Sequence, residues 1–491
     1  MGADSMTTGV AGGHRVAVVG GGIAGLAAAH RLQELARERN LSLDLLLLEA
    51  AKNLGGTIGT ERSGGFVIEA GPDSFISEKP WALDLCRRIG LSDRLVKTRD
   101  EHRQTFIVRD GVLRPLPDGF LLLAPTRLWP LAFSRLFSWP AKLRMVLDLV
   151  LPRGPALSDE SLGSFVTRRL GREALERVAQ PLVGGIYAAD PDTLSLAATM
   201  PRFLEMEKKH RSIILAMARQ RRVQQPAAVE GGAPGEKSGA RWSLFVSLDD
   251  GMQSLVETLA ERLPAGTIRV GRAVSAVLPG TSRAGTWHLC LPDGTSMEVD
   301  AAILATPAHH TARLVLGLDQ RLAEQLSEIT YASSATVTLA YRRVDVPHPL
   351  DAFGFVVPFI EGRSIIACTF SSVKYPGRAP EDHVLLRSFV GGTLQASCAD
   401  LDDASMEDAV RRELAELLGV VAPPELVRIH RHPQAMPQYC VGHIDRVGAI
   451  NAQLSRHRGL AVAGSAYGGV GIPDCIHGAE VAAEAIVAAL S

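Results

Sequence analysis

Arg15–Asn40 reads RVAVVGGGIAGLAAAHRLQELARERN, and the glycine spacing within it decides the fold. Val16–Val19 is a short apolar run, largely β-branched, suited to a strand buried on both faces of a parallel sheet. Gly20, Gly22 and Gly25 follow as GxGxxG. Ala24–Leu35 then reads as an alanine- and leucine-rich helix ending near the charged stretch 37–40. Gly20 permits the tight turn, Gly22 lets backbone approach a pyrophosphate, and Gly25 lets the helix close on the sheet. Ile23 and Ala24 open that helix, whose free N–H groups and partial positive charge suit phosphates. A second strand, Leu43–Leu48, ends at Glu49 and Ala50. A carboxylate there can accept both hydroxyls of a ribose and repels the 2′-phosphate of NADP. Strand, glycine turn, helix, strand and acid together read as an adenine-dinucleotide site in an α/β fold.

The rest of the composition narrows the class. At 491 residues the chain is long enough for two or three packed units. Its 52 basic and 53 acidic residues give a net charge of -1, which argues against a nucleic-acid partner. Six cysteines lie far apart without a CxxC pair, so they read as reduced structural thiols, and no metal site is expected. Residues 1–13 lack the basic and apolar regions of a secretion signal, and no window reaches the roughly 20 apolar residues of a membrane span. The expected location is the cytoplasm.

Two distant stretches share the flavour of the N-terminal unit. Near the end, Leu460–Ala463 reads as a strand, 464–471 as a glycine-rich loop and Cys475–Leu490 as a helix. This is either a second nucleotide site or, more economically, the far wall of the first. In the middle, Gly251–Leu263 reads as an amphipathic helix, 268–277 as a strand around Val270 and Val274, and Val299–Ala305 as another strand. Between them, 80–223 reads as largely helical, with helices over Leu162–Val178 and Arg202–Arg222, and Gln224–Gly239 as a mobile loop. Thr336–Tyr341 and Ile365–Thr369 read as strands of a substrate-covering sheet, and Met406–Leu418 as a helix.

After the acid come Leu54, Gly55, Gly56 and Thr57, then Gly59-Thr60 and Gly64-Gly65. Such spacing suits either backbone laid against an extended cofactor or a glycine-rich hairpin with no ligand. Here the chain resembles the flavin amine oxidase superfamily, which makes FAD the expected dinucleotide. Four more segments sharpen the resemblance: Glu69–Phe75 (EAGPDSF), Gly185–Pro191 (GIYAADP), Phe353–Pro358 (FGFVVP) and Tyr467–Gly478 (YGGVGIPDCIHG). With them the chain is similar, essentially from Val16 onward, to FAD-dependent protoporphyrinogen and coproporphyrinogen oxidases.

That resemblance implies a Rossmann-like FAD-binding fold of the p-hydroxybenzoate hydroxylase/amine oxidase type, with inserted α+β and helical domains. A discontinuous FAD domain would use residues 14–80, 245–310 and 440–491. A substrate domain would use 81–90, 200–244 and 311–439, and a mainly helical, membrane-associated domain 91–199. FAD would be held non-covalently. Gly71, Pro72, Asp73 and Ser74 would pass near the isoalloxazine, Val274 would offer backbone to the adenine, and Gly464, Val470, Gly471 and Ile472 would close the pocket. Gly185 would face the reacting edge of a tetrapyrrole sandwiched by Val356 and Tyr375.

One stretch departs from the resemblance. Where an arginine that pairs with a propionate is expected, this sequence has Thr105, and threonine cannot form the bidentate pair. Arg99 or Arg103 would take the role, or the substrate's acids are held differently. Either arginine could equally be a solvated surface charge.

The expected reaction is oxygen-dependent, six-electron oxidation of protoporphyrinogen IX in haem biosynthesis, with coproporphyrinogen III as the alternative substrate. It would run in three FAD cycles that produce hydrogen peroxide. An amine or polyene oxidase is a remoter alternative, and a non-catalytic dinucleotide-binding protein remoter still. Segment Leu116–Val150 alternates Trp129, Phe133, Phe137 and Trp139 with Arg127, Arg135, Lys142 and Arg144. It reads as a peripheral contact with the inner face of the cell membrane, as core packing, or as a homodimer face. A haem-pathway enzyme is a further candidate partner.

Overall fold

The computed structural model describes residues 13–490 except 118–119, 122–123, 126–127, 156–157, 225–243 and 284. The stretch Gln224–Gly239, read as a mobile loop, falls almost wholly outside the described residues, as does Arg127.

A five-stranded parallel sheet joins three separated parts of the chain. Its order is Ile268–Val270, Leu43–Glu49, His14–Val19, Ala301–Leu304 and Leu460–Val462. Val16–Val19, Leu45–Leu48 and Ala301–Leu304 are all buried, because layers cover both faces of the sheet. On one face, helix Ile23–Glu38 packs against the C-terminal helix Ile472–Leu490. Leu26, Ala28, Ala29 and Leu32 meet a core that includes Ile476, Ala479, Ala483 and Val487. The alanines let the two backbones approach closely, while each buried leucine contributes about 2 kcal/mol. On the other face, an antiparallel meander (Ala276–Pro279, Trp287–Cys290, Ser296–Val299) packs with helices Ala308–Val315 and Gln320–Ser327.

A second, seven-stranded sheet follows the order Leu426–Pro437, Tyr331–Arg342, His383–Gly391, Ala367–Phe370, Gly354–Val356, Phe106–Arg109 and Val112–Pro115. Hairpin 106–115, expected within the helical insert, instead forms the edge of this sheet, with Phe355 paired to Phe106. Helix Asp403–Leu418 covers one face. A third, helical core gathers Phe165, Val166, Val178, Val183 and Phe203.

Several local readings change. The stretch Arg202–Arg222 is two helices, Pro201–His210 and Ile213–Gln224, broken at Arg211, whose φ is 65°. The stretch Leu162–Val178 is likewise divided: helix Leu162–Leu170 ends at Gly171, and a π-helical turn, Leu175–Ala179, leads into helix Gln180–Tyr187. Val274 lies between strands Ile268–Val270 and Ala276–Pro279 rather than inside one. Two of the basic residues of the aromatic-rich segment 116–150 turn inward. Lys142 is buried and donates to the Ala132 carbonyl, and Arg144 caps the carbonyls of Thr167, Arg168 and Arg169. Phe137 is buried as well, but Trp129 and Phe133 are 77% and 80% exposed.

Candidate functional site

The glycine turn has the geometry its spacing requires. Gly20 has a φ of 109°, and a Cβ there would press on the Ala305 carbonyl. A Cβ on Gly25 would overlap the Gly20 carbonyl oxygen, so the helix and the turn touch only because Gly25 has no side chain. Gly22 differs: the nearest atom to a Cβ there would be the Gly56 Cα at 4.0 Å. Gly22 is the N-cap of helix Ile23–Glu38, and neither a capping side chain nor a first-turn acid occupies that helix entrance. Its N–H groups are therefore available to an anion.

Glu49 sits at the end of its strand beside this turn. Its carboxylate accepts from the Gly21 and Ala51 backbone N–H groups at 2.6 and 2.7 Å, with Ala50 between them exposed. The two glycine clusters after the acid separate into both of the forms considered. Gly55 and Gly56 lie against the first turn, with Gly55 donating to the Gly21 carbonyl at 2.9 Å and Thr57 exposed beside them. Gly64-Gly65 is the turn of hairpin Thr60–Glu69.

Hairpin and sheet then deliver residues 71–74. Gly71 fits only as glycine, since a Cβ would overlap the Thr57 carbonyl. Three strands of the large sheet hold the preceding Ala70 carbonyl: Thr336 Oγ1 at 3.1 Å, His432 Nε2 at 2.8 Å and Arg387 Nη2 at 3.4 Å. Pro72, Asp73 and Ser74 keep partial exposure. Asp73 pairs with Lys374 at 3.0 Å and accepts from the Ser74 hydroxyl at 2.6 Å. Burial would raise the Asp73 carboxyl, but Lys374, Arg387 and Ser74 overcome it and hold the group well below the ordinary carboxylate range.

The far end of the chain supplies another wall. Gly464 has a φ of 129°, and a Cβ on Gly464 or Gly468 would meet nothing within 4 Å. Tyr439 donates its hydroxyl to the Ser465 carbonyl and stacks on buried His443 at 4.0 Å. Burial, with the charge of Arg446, lowers the His443 imidazole to about 4. Val470 packs on the helical core, as do Val356 and Tyr187, while Gly471 and Ile472 lead into the C-terminal helix. Burial, reinforced by Asp474, pushes the Tyr187 phenol up to about 12.

Gly185 lies two residues before Tyr187, exposed, with nothing within 4 Å of a Cβ placed on it. The structure thus brings Val356, Val470 and the helix carrying Gly185 against one core. Tyr375 stands apart from them: it is 1% exposed, its ring lying between the cations of Lys374 and Arg378. Arg99 and Arg103 are both exposed, and the Arg99 N–H donates to the Lys374 carbonyl at 3.1 Å. Val274 is half-buried beneath the small meander.

Bare backbone at Gly22, Gly464 and Gly468, an uncapped helix entrance and an acid at the strand end suit a dinucleotide, so the residues fit the expected cofactor. Arg387, Lys374 and Tyr439 were not foreseen from the sequence, and Tyr187 entered only as part of the segment GIYAADP. Of the first three, Arg387 left a signal, as a lone charge inside the apolar strand HVLLRSFVG.

Comparison with known proteins agrees. Residues 23–487 match the family model of flavin containing amine oxidoreductases. The chain is 36% identical to the coproporphyrinogen III oxidase of Propionibacterium freudenreichii over 496 residues, covering 96% of this chain and 90% of that protein. It is 31% identical to the protoporphyrinogen oxidase of Homo sapiens over 493 residues, covering 97% and 98%. A crystal structure from Exiguobacterium sp. 255-15, assigned as a protoporphyrinogen oxidase, superposes with a TM-score of 0.83 at 33% identity, covering 97% of this chain and 99% of that one. Glycine turn, acid, cradle and full-length similarity place the chain in the flavin-containing amine oxidoreductase family, on the branch of the porphyrinogen oxidases.

Proposed function

We propose that the protein binds one FAD non-covalently and oxidises a porphyrinogen to the porphyrin, with coproporphyrinogen III the better-supported substrate. The observation that carries the reading is the packing of Val356, Val470 and the helix that carries Gly185 against one core, in a chain similar along its whole length to porphyrinogen oxidases. Similarity favours coproporphyrinogen III over the protoporphyrinogen IX expected from the sequence: the relative carrying that name is 36% identical, against 31% for the human protoporphyrinogen oxidase. Thr105 in place of the expected arginine does not decide between them.

FAD supplies a two-electron acceptor that returns its electrons to oxygen. Three rounds would remove six electrons and six protons from the macrocycle and convert three O2 to three hydrogen peroxide. The chain's own part is positional. Gly185 leaves room for the ring edge, Val356 offers an apolar wall, and exposed Arg99 and Arg103 offer guanidinium groups to the substrate carboxylates. Residues 71–74, held through the Ala70 and Gly71 carbonyls, would form a fixed wall beside a bound flavin. Cys475 does not supply a ready nucleophile for a flavin bond, because burial pushes its thiol up to about 12.

The boundaries of the three domains belong to the same proposal. So does a peripheral membrane contact from a cytoplasmic protein through exposed Trp129, Phe133, Trp139 and Leu143. No helix of the described residues is long and apolar enough to cross a membrane.

The test supplies coproporphyrinogen III and protoporphyrinogen IX separately under oxygen and follows porphyrin fluorescence and peroxide. Faster porphyrin formation from the four-propionate substrate is expected, with three peroxides per porphyrin. Preference for the two-propionate substrate would reverse the assignment, and no porphyrin from either would end it. Flavin that stays on the denatured polypeptide would contradict non-covalent binding.

A further inference from the structure

Residues 71–74 rest on a buried charge cluster that does not sum to zero. Glu69 pairs with Arg378 at 3.7 Å, and Asp73 pairs with Lys374 at 3.0 Å. Arg387 is the fifth member. It is 3% exposed, forms no ion pair with a carboxylate of the described residues, and is held by the carbonyls of Ala70 and Gly71. Its Nε has no hydrogen-bond partner among the described residues. His430 and His432, on the strand two places away in the sheet, are kept below their ordinary range, chiefly by burial, and add no charge near pH 7. Three cations against two carboxylates leave one positive charge beneath the strip.

Asp73 and Glu69 act on Arg387 through space, but each already has a cation of its own, and a buried guanidinium without a carboxylate partner is costly unless an anion arrives to meet it. A substrate carboxylate is poorly placed to do so, because Arg387 lies under the strip and is almost closed to solvent. A charge generated inside the site has no such barrier.

We infer that Arg387 is the countercharge for the negative charge a bound flavin gains on reduction, and so sets the flavin's potential. The inference rests on the FAD reading above and deepens it. In each round a hydride leaves a bridge carbon with two electrons, a macrocycle N–H gives its proton to solvent, and the flavin side gains one negative charge. Oxygen later takes the two electrons with two protons as hydrogen peroxide, and the charge is discharged. A fixed cation in a site screened from water favours the charged state each time. Arg387 is thus a positioning residue for charge and touches no substrate.

The experiment measures the two-electron potential of FAD-loaded wild type, R387M, R387K and D73N by equilibration with a reference dye. R387M should lower the equilibrium constant for reduction at least tenfold, about 30 mV for a two-electron couple. R387K, which keeps the charge, should stay within threefold. D73N frees Lys374 from its partner and should shift the constant about tenfold the other way. A potential for R387M within twofold of wild type would overturn the inference, as would shifts of R387M and D73N in the same direction. Should R387M fail to fold, an unshifted or lowered potential in D73N overturns it alone. Wild type that takes up no FAD would overturn the underlying reading too, whereas loaded protein with unshifted potentials overturns only this inference.

Discussion

Gly25 and Gly185 both sit in helices, and their surroundings are opposites. A side chain on Gly25 would run into the Gly20 carbonyl, whereas one on Gly185 would meet nothing within 4 Å. The first glycine is required by the protein itself, to close a helix on a sheet. The second meets no internal constraint, and in the function proposed above the space beside it takes the substrate. The dinucleotide turn is thus built from backbone, and the facing wall from what the backbone leaves open. Four predictions test that division, from the largest expected effect downward.

Gly25→Ala should cost about 3 kcal/mol, the upper end of overpacking penalties, because a backbone oxygen cannot move aside. The variant should lose its flavin on gel filtration and melt earlier. Retention of full flavin absorbance at an unchanged Tm would break the comparison.

The seam between the regions carries the second. His443 stacks on Tyr439, which holds the Gly464–Ile472 loop. Its folded-state value of about 4 lies below the 6.5 of an unfolded histidine, so the unfolded chain takes up the proton first. Its contribution is full above pH 6.5, declines as pH falls from there towards 4, and then levels. Between pH 7 and 5 the loss should be about 2 kcal/mol. Urea unfolding of H443F, which keeps an aromatic stack, should show that much less pH dependence than wild type. Parallel profiles would contradict this.

Glu49→Gln should weaken FAD binding about tenfold, or about 1.4 kcal/mol, by making a charge-assisted ribose contact neutral. Titrating the apoprotein and following flavin fluorescence reads it directly. An unchanged Kd would remove Glu49 from the site.

The smallest effect is expected at the substrate rim. Arg99→Ala and Arg103→Ala should each leave Tm unchanged, and one of them should lower kcat/KM about fivefold, as suits an exposed ion pair. Unchanged kinetics in both would mean the substrate's acids are held elsewhere.

The sequence made the backbone half legible for a physical reason. Tight turns and close approaches demand glycine at fixed local spacings, so the turn Gly20–Gly25 could be read without a partner in view, whereas Gly55-Gly56 could not be told from a hairpin until the fold laid it against Gly21. The charged support under residues 71–74 could not be read this way either. Lys374 reaches it from the short helix Ser371–Lys374 and Arg387 from a distant strand, and nothing local fixes where their heads point. Side-chain direction was likewise not legible at Lys142 and Arg144, whose spacing suited a lipid-facing stripe as well as core packing, and whose hydrogen bonds turn them inward. Arg211 ends a helix through a positive φ on a non-glycine residue, which no apolar pattern announces. Val274 looked like strand because the apolar stretch continues through Ala276 and Val277, yet the chain is there leaving one sheet for another.

The most direct test of the division fills the space at Gly185. Wild type and Gly185→Val, both loaded with FAD, would be mixed with coproporphyrinogen III without oxygen while flavin absorbance is followed. The account predicts rapid bleaching in wild type and bleaching at least a hundredfold slower in the variant, with equal flavin content and Tm. A variant that bleaches as fast as wild type would show that the porphyrinogen does not approach the flavin past Gly185.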